Sequence, residues 1–394
     1  MKKMVLLILL LFPINVIALT YPKLYSKYVI IYDDTDNKVL YEKDSDKITA
    51  IASLTKIATT ITAIETIPNL DEEVTITSNI LNTVNPYLSK AGLKAGDKLS
   101  YRDLLYASIL PSGADATNSI AILSSGSIDI FVNKMNELAA RIGLKNTHFV
   151  NVTGLDADGH YSTASDVLKL LSYSLKNSTF KEIFQTKDYT LSNGLKVKST
   201  LYKYNKGINK DISLILGSKT GYTTDAGYAI ASLSNTKNHD ILIVLINAPS
   251  EEKISYHIID DVDLIDFINN NYDNQTLLSS NEFKITIPVS MSNVDNYEII
   301  NNDEIQLFLP NDYDKMLVET KYIGLNNLDF HNQDGDIIGK IETYYNNELI
   351  HEENVILNKD IKISYLKVIK KYYYIPLGII ILIGFIVLKG KEVK

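Results

Sequence analysis

Ser53-Leu54-Thr55-Lys56 combines a hydroxyl and an amine at a spacing of three. On a helix, positions i and i+3 lie on one face, so the Lys56 amine reaches the Ser53 hydroxyl. A serine needs a base before it can attack an acyl group, and a desolvated lysine is neutral enough to act as one. The pair alone is weak, because Ser-x-x-Lys recurs at Ser178-Lys181, Ser234-Lys237, Ser250-Lys253 and Ser364-Lys367. Its company strengthens it. Lys219-Thr220-Gly221 follows in a strand-like stretch, where glycine lets a substrate backbone lie against the edge while lysine and threonine present a charge and a hydroxyl. Ser112-Gly113-Ala114 stands between the two. Other chemistries are disfavoured. There is no cysteine, which removes disulfides, thiolate zinc sites and cysteine nucleophiles. No two of the six histidines have metal-ligand spacing, and no Gly-x-Ser-x-Gly elbow occurs.

In this order, the three elements correspond to the Ser-x-x-Lys, Ser-x-Asn and Lys-Thr-Gly signatures of penicillin-recognising enzymes. The chain resembles the low-molecular-weight penicillin-binding proteins, the serine-type D-alanyl-D-alanine carboxypeptidases. Leu40-Tyr41-Glu42-Lys43 is similar to the family's opening hairpin. Asn146-Thr147-His148-Phe149, Gly154-Leu155-Asp156 and Gly159 to Ala164 are similar to its loop beside the site, and Lys219 to Thr223 with Ala226-Gly227-Tyr228 to its active-site strand and turn. Residues 283–357, including Gly335 to Gly339, resemble the β-rich domain of such enzymes.

The resemblance implies an acyl-enzyme on Ser53, with Lys56 as base and Ser112 passing a proton to the departing D-alanine. Lys219 depresses the pKa of Lys56 and attracts the terminal carboxylate, while Thr220 and Thr223 offer it hydroxyls. Gly221 lies in the strand edge, and the N–H groups of Ser53 and Tyr222 form the oxyanion hole. The implied partners are stem peptides ending in D-Ala-D-Ala, with β-lactams as inhibitors; no metal or cofactor is required. The family's Asn is Ala114 here. The favoured expectation is that this position tolerates Ala, with water filling the gap; Asn118, one turn on, is a candidate substitute whose side chain the helix aims differently. A catalytically impaired, membrane-tethered wall-binding protein and an endopeptidase or β-lactamase on the same fold are the alternatives. A class A β-lactamase needs a deacylating glutamate, whereas residues 150–166 hold Asp156, Asp158 and Asp166 but no Glu. For His160 in this loop, a structural hydrogen bond is the expectation.

The elements that must position these groups begin with a hairpin, Tyr28 to Tyr32 and Lys38 to Tyr41 about a polar turn. Helical periodicity covers 49–67, 101–123, 128–142 and 165–175; strand patterns cover 212–221, 227–234 and 240–247; a helix at 251–269 closes the block. This predicts an α+β fold, a β-lactamase/transpeptidase-like sandwich with a helical subdomain, followed by a small all-β domain. The expected division is a signal peptide over 1–18, a catalytic domain over 19–270, an Asn-rich linker over 271–282, a β-rich domain over 283–358 and an anchor segment over 359–394.

Met1-Lys2-Lys3, an apolar run to Phe12 and Val16-Ile17-Ala18 read as an export signal. The uncharged stretch 372–388, flanked by lysines, reads as a transmembrane helix that anchors the exported body to the outer face of the bacterial cytoplasmic membrane. The net charge of −8 argues against a nucleic-acid partner.

Overall fold

The computed structural model describes residues 20–208, 210–250, 254–374, 378–379 and 383; the expected signal peptide lies outside them. Strands β1 (Tyr28–Asp33) and β2 (Lys38–Lys43) form the hairpin. A 3-10 turn over Ala52–Leu54 leads into α1 (Thr55–Thr66). The helical block comprises α2 (Ser78–Leu81), α3 (Tyr101–Ile109), α4 (Ala114–Ser125), α5 (Ile128–Ile142), α6 (Ala164–Leu175), α7 (Ser178–Gln185) and α8 (Thr200–Asn205). Two small hairpins are set into it, β3 (Glu73–Thr75) with β4 (Lys98–Ser100), and β5 (Asp188–Thr190) with β6 (Lys196–Lys198). Strands β7 (Ile215–Thr223), β8 (Gly227–Thr236) and β9 (His239–Ala248) then return beside the opening hairpin, giving a sheet of order β2-β1-β9-β8-β7. Helix α9 (Tyr256–Asn271) follows.

Both faces of this sheet are covered, which is why β8 and β9 read as nearly continuous apolar runs. Ala229, Ala231, Leu233, Leu242, Val244 and Ile246 join the core of the helical block. The alternating Ile230, Ile241, Ile243 and Leu245 are buried as well, and α9 packs on these two strands. Helix α1 is buried at every position from Thr55 to Ala63, as befits a helix without a polar face at the centre of the block. The helical stretch expected over 101–123 is interrupted. Pro111 supplies no N–H and Ser112 sits at φ +62°, so α3 ends and α4 begins afresh after Gly113.

Contacts divide the chain into two units, the second beginning at Asp273. Where the linker was expected at 271–282, the structure has strand β10 (Tyr272–Leu278), paired with β13 (Ile305–Pro310). The Asn-rich composition suggested a loop, but the ladder pairing and the buried Tyr272, Leu277 and Leu278 prevail. The second unit also contains the pair β11 (Lys284–Pro288) and β12 (Asn296–Ile300), and the sheet β14 (Val318–Gly324), β15 (Ile337–Tyr345) and β16 (Glu348–Ile356). Ile287, Ile299, Leu328, Ile341 and Leu357 form its core.

The membrane span expected over 372–388 is not supported, and with it fall the membrane as a partner and anchoring to its outer face. Among the described residues no helix is long and apolar enough to cross a bilayer. Helix α10 (Tyr365–Tyr372) carries Lys367, Lys370 and Lys371 and is about 12 Å long at ~1.5 Å per residue, against a hydrocarbon core of ~30 Å. Most of the remaining stretch lies outside the described residues.

Candidate active site

The site forms where the start of α1, the Pro111 to Gly113 break and the edge of β7 meet. Ser53 lies in the 3-10 turn, preceded by Ala52 at φ +46°. Positive φ at Ala52 and at Ser112 costs about 1–3 kcal/mol each, strain that the surrounding packing must hold. Lys56 Nζ donates to Ser53 Oγ at 2.9 Å and to the Thr153 carbonyl at 2.6 Å. The amine is fully buried, and burial pushes its pKa down to about 7, with the nearby Asp115 carboxylate opposing the shift. Desolvation, expected of a base lysine, is thus the main cause; the Lys219 charge, also expected to depress it, is not among the causes. Lys219, also buried, donates to Ser112 Oγ at 3.0 Å and to the Thr220 carbonyl at 2.7 Å. Burial, and then the Lys56 charge, hold it well below the ordinary lysine range.

The 150–160 loop is fastened to α1 through consecutive turns of that helix. Thr59 Oγ1 donates to the Val152 carbonyl at 2.8 Å, Lys56 holds Thr153, and Thr55 Oγ1 bonds His160 Nε2 at 2.8 Å. The Val150 N–H donates to His160 Nδ1, so Nε2 carries the proton and donates to Thr55. Burial lowers His160 to about 4, which keeps the ring neutral and structural. Gly154, at φ +84°, admits the close approach of this loop, because a Cβ there would lie 1.8 Å from the Ala52 carbonyl oxygen. Gly221 likewise brings β7 close: its Cβ would meet the Ser53 nitrogen at 3.0 Å.

Four residues that the motifs did not single out for a role complete the arrangement. Buried Asp115 accepts backbone N–H groups from Ala91, Gly92 and Leu93, pinning a loop beside α4. The carbonyl of Thr153 serves Lys56 as described, a role that no side-chain pattern reveals. Thr200 Oγ1 and Thr220 Oγ1 are 2.6 Å apart. Asp156 accepts from Thr223 Oγ1 at 2.7 Å and from the Asp225 N–H at 3.3 Å. Thr223 therefore spends its only proton on Asp156, whereas a hydroxyl contact to the substrate carboxylate was expected there. Tyr222 is exposed and packs its ring against Tyr228.

Ala114 is fully buried and its N–H donates to the Ser89 carbonyl. Asn118 does not substitute for the missing amide: its Nδ2 donates to Thr83, with Oγ1 at 2.9 Å. Elsewhere, Asp33, Asp36 and His239 bring possible metal-ligating atoms within 4.8 Å of one another. They belong to the hairpin turn and the start of β9, where Asp33 already accepts from Thr35 and Asp36 N–H groups and pairs with His239.

Known proteins share this architecture. The family described as D-alanyl-D-alanine carboxypeptidase matches residues 15–250, and penicillin-binding protein 5, C-terminal domain, matches 272–363. The D-alanyl-D-alanine carboxypeptidase of Streptomyces sp. strain K15 is 36% identical over 205 residues, 48% of this chain and 70% of that protein. The D-alanyl-D-alanine carboxypeptidase DacF of Bacillus subtilis is 27% identical over 341 residues, 86% of each chain. Penicillin-binding protein 5 of Haemophilus influenzae has the same fold, with a TM-score of 0.63 at 24% identity over 87% of this chain and 99% of that one. Because the first family match spans more than half of the sequence and takes in Ser53, Ser112 and Lys219 together, the chain belongs to the serine-type D-alanyl-D-alanine carboxypeptidases.

Proposed function

We infer that this protein removes the terminal D-alanine from peptidoglycan stem peptides through an acyl-enzyme on Ser53, and that penicillins acylate the same residue. The observation that carries this reading is the buried Lys56 amine, 2.9 Å from Ser53 Oγ with its pKa lowered to about 7. A substantial fraction is neutral near pH 7 and able to take the hydroxyl proton as Ser53 attacks the penultimate D-Ala carbonyl. The Ser53 N–H at the start of α1 and the Tyr222 N–H on β7 serve as oxyanion donors; the close approach at Gly221 supports this by bringing β7 against the Ser53 nitrogen. Ser112, bonded to Lys219, hands a proton to the departing amine.

Lys219 and the Thr200–Thr220 pair receive the terminal carboxylate. Two hydroxyls that share one hydrogen bond keep one O–H free for an anion. Thr223 enters through the turn it holds with Asp156. Water then releases the acyl group. The test is D-alanine release from a short peptide ending in D-Ala-D-Ala. The wild type is expected to release it and Ser53→Ala is not; equal release by both refutes the assignment.

A further inference from the structure

A cleft of about 490 Å³ opens beside the catalytic cluster, walled by Pro111, Thr200, Tyr202 and Tyr204 and fringed by Lys90, Lys198, Lys203 and Lys206. No acidic side chain among the described residues lines it. Among the described residues the ion pairs involve none of these four lysines. Asp188 stands opposite Lys198 in the β5–β6 ladder without forming one. Lys198 Nζ lies 5.1 Å from the Tyr202 ring centre and Lys203 Nζ 5.9 Å from that of Tyr204, so two of the ammonium groups rest on the cleft's aromatic wall. A concave and basic surface on a chain of net charge −8 is suited to an anionic ligand.

Its position indicates which anion. Pro111 precedes Ser112, the group that protonates the departing amine, and Thr200 bonds Thr220 of the active-site strand. The cleft therefore lies on the side toward which the leaving group departs. We propose that it is the subsite for the leaving portion of the substrate, and that it selects leaving groups with a negative charge beyond the single carboxylate of D-alanine. The proposal rests on the carboxypeptidase reading and alters no chemical step: the Ser53 Oγ–C bond forms, the C–N bond breaks and the amine leaves with its proton.

The test compares peptides identical except for their last residue, ending in D-Ala-D-Ala, D-Ala-D-Glu or D-Ala-D-Lys. Two or three solvent-exposed charge contacts make kcat/KM for the D-Glu peptide about three- to ten-fold higher than for D-Ala, with D-Lys the poorest. The spread should shrink at about 0.5 M salt. A Lys198→Glu/Lys203→Glu double variant should abolish the D-Glu preference and leave D-Ala release within about two-fold. The same order is expected in the affinities of Ser53→Ala for the three peptides, which are read whether or not the wild type turns over. Equal affinities, or a preference that survives the double variant, overturn the subsite. Ordered affinities without any release by the wild type uphold the subsite and refute the carboxypeptidase reading instead.

Discussion

Replacing Lys56 by Met separates what this residue costs the fold from what it does for the chemistry. The amine has an ordinary pKa of 10.5 and sits near 7 in the folded protein because burial disfavours its charge. Between those values the unfolded chain binds more protons at this position than the native one, so stability rises with pH. The penalty is fully developed below the folded value and vanishes above the unfolded one. At ~1.36 kcal/mol per pH unit, lowering the pH from about 9 to about 7 costs the wild type about 2 kcal/mol that Lys56→Met does not lose. Methionine forfeits the bonds to Ser53 Oγ and the Thr153 carbonyl, a loss of about 1–3 kcal/mol that is the same at both pH values. Relief of Lys219, which Lys56 also disfavours, adds in the same direction. Urea unfolding of both proteins at the two pH values isolates the titrating part. The variant should gain about 2 kcal/mol on the wild type at the lower pH while losing acylation at both. A stability difference that does not change with pH refutes the depressed pKa and, with it, the account of the base.

Ala114→Asn should leave the penicillin acylation rate within about three-fold of wild type, because Lys56 already bonds Ser53 and Thr153 and a new amide must displace packed atoms. A gain above about ten-fold would show that the missing amide limits the enzyme. Gly154→Ala drives a Cβ into the Ala52 carbonyl in a left-handed conformation and should cost about 3 kcal/mol or more, lowering Tm and slowing acylation together. An unchanged Tm would mean that the loop does not rest on Ala52 as described.

How much was legible beforehand follows from what each residue answers to. Ser53, Lys56 and Lys219 stand out in the sequence because acyl transfer demands those residue types in that order, and their chain neighbours keep the spacing recognisable. The sandwich was readable from the hairpin, the helical periodicity and the paired apolar strands. Thr200 was invisible: one threonine in a lysine- and tyrosine-rich segment acquires meaning only when Thr220 lies 2.6 Å away. The Thr153 carbonyl and the Asp115 clamp on residues 91–93 are main-chain arrangements without a residue code. For the Lys56 shift, the desolvation expected of a base lysine is the cause, while the added push expected from Lys219 is not, because a charge written in the sequence does not say how strongly it will act. Strand β10 was obscured by asparagines whose turn preference the ladder overrides. The span at 372–388 was inferred from apolar composition alone; among the described residues no helix is long and apolar enough to cross a bilayer, and α10, which ends at Tyr372, bears three lysines.

The central claim is that Ser53, and none of the other serines followed three positions later by lysine, is the nucleophile. Peptide mass mapping after a penicillin pulse at neutral pH tests it most directly. The account predicts one drug-sized adduct on the peptide containing Ser53, lost in Ser53→Ala and retained in Ser178→Ala and Ser234→Ala. An adduct on another serine, or one that persists in Ser53→Ala, would contradict it.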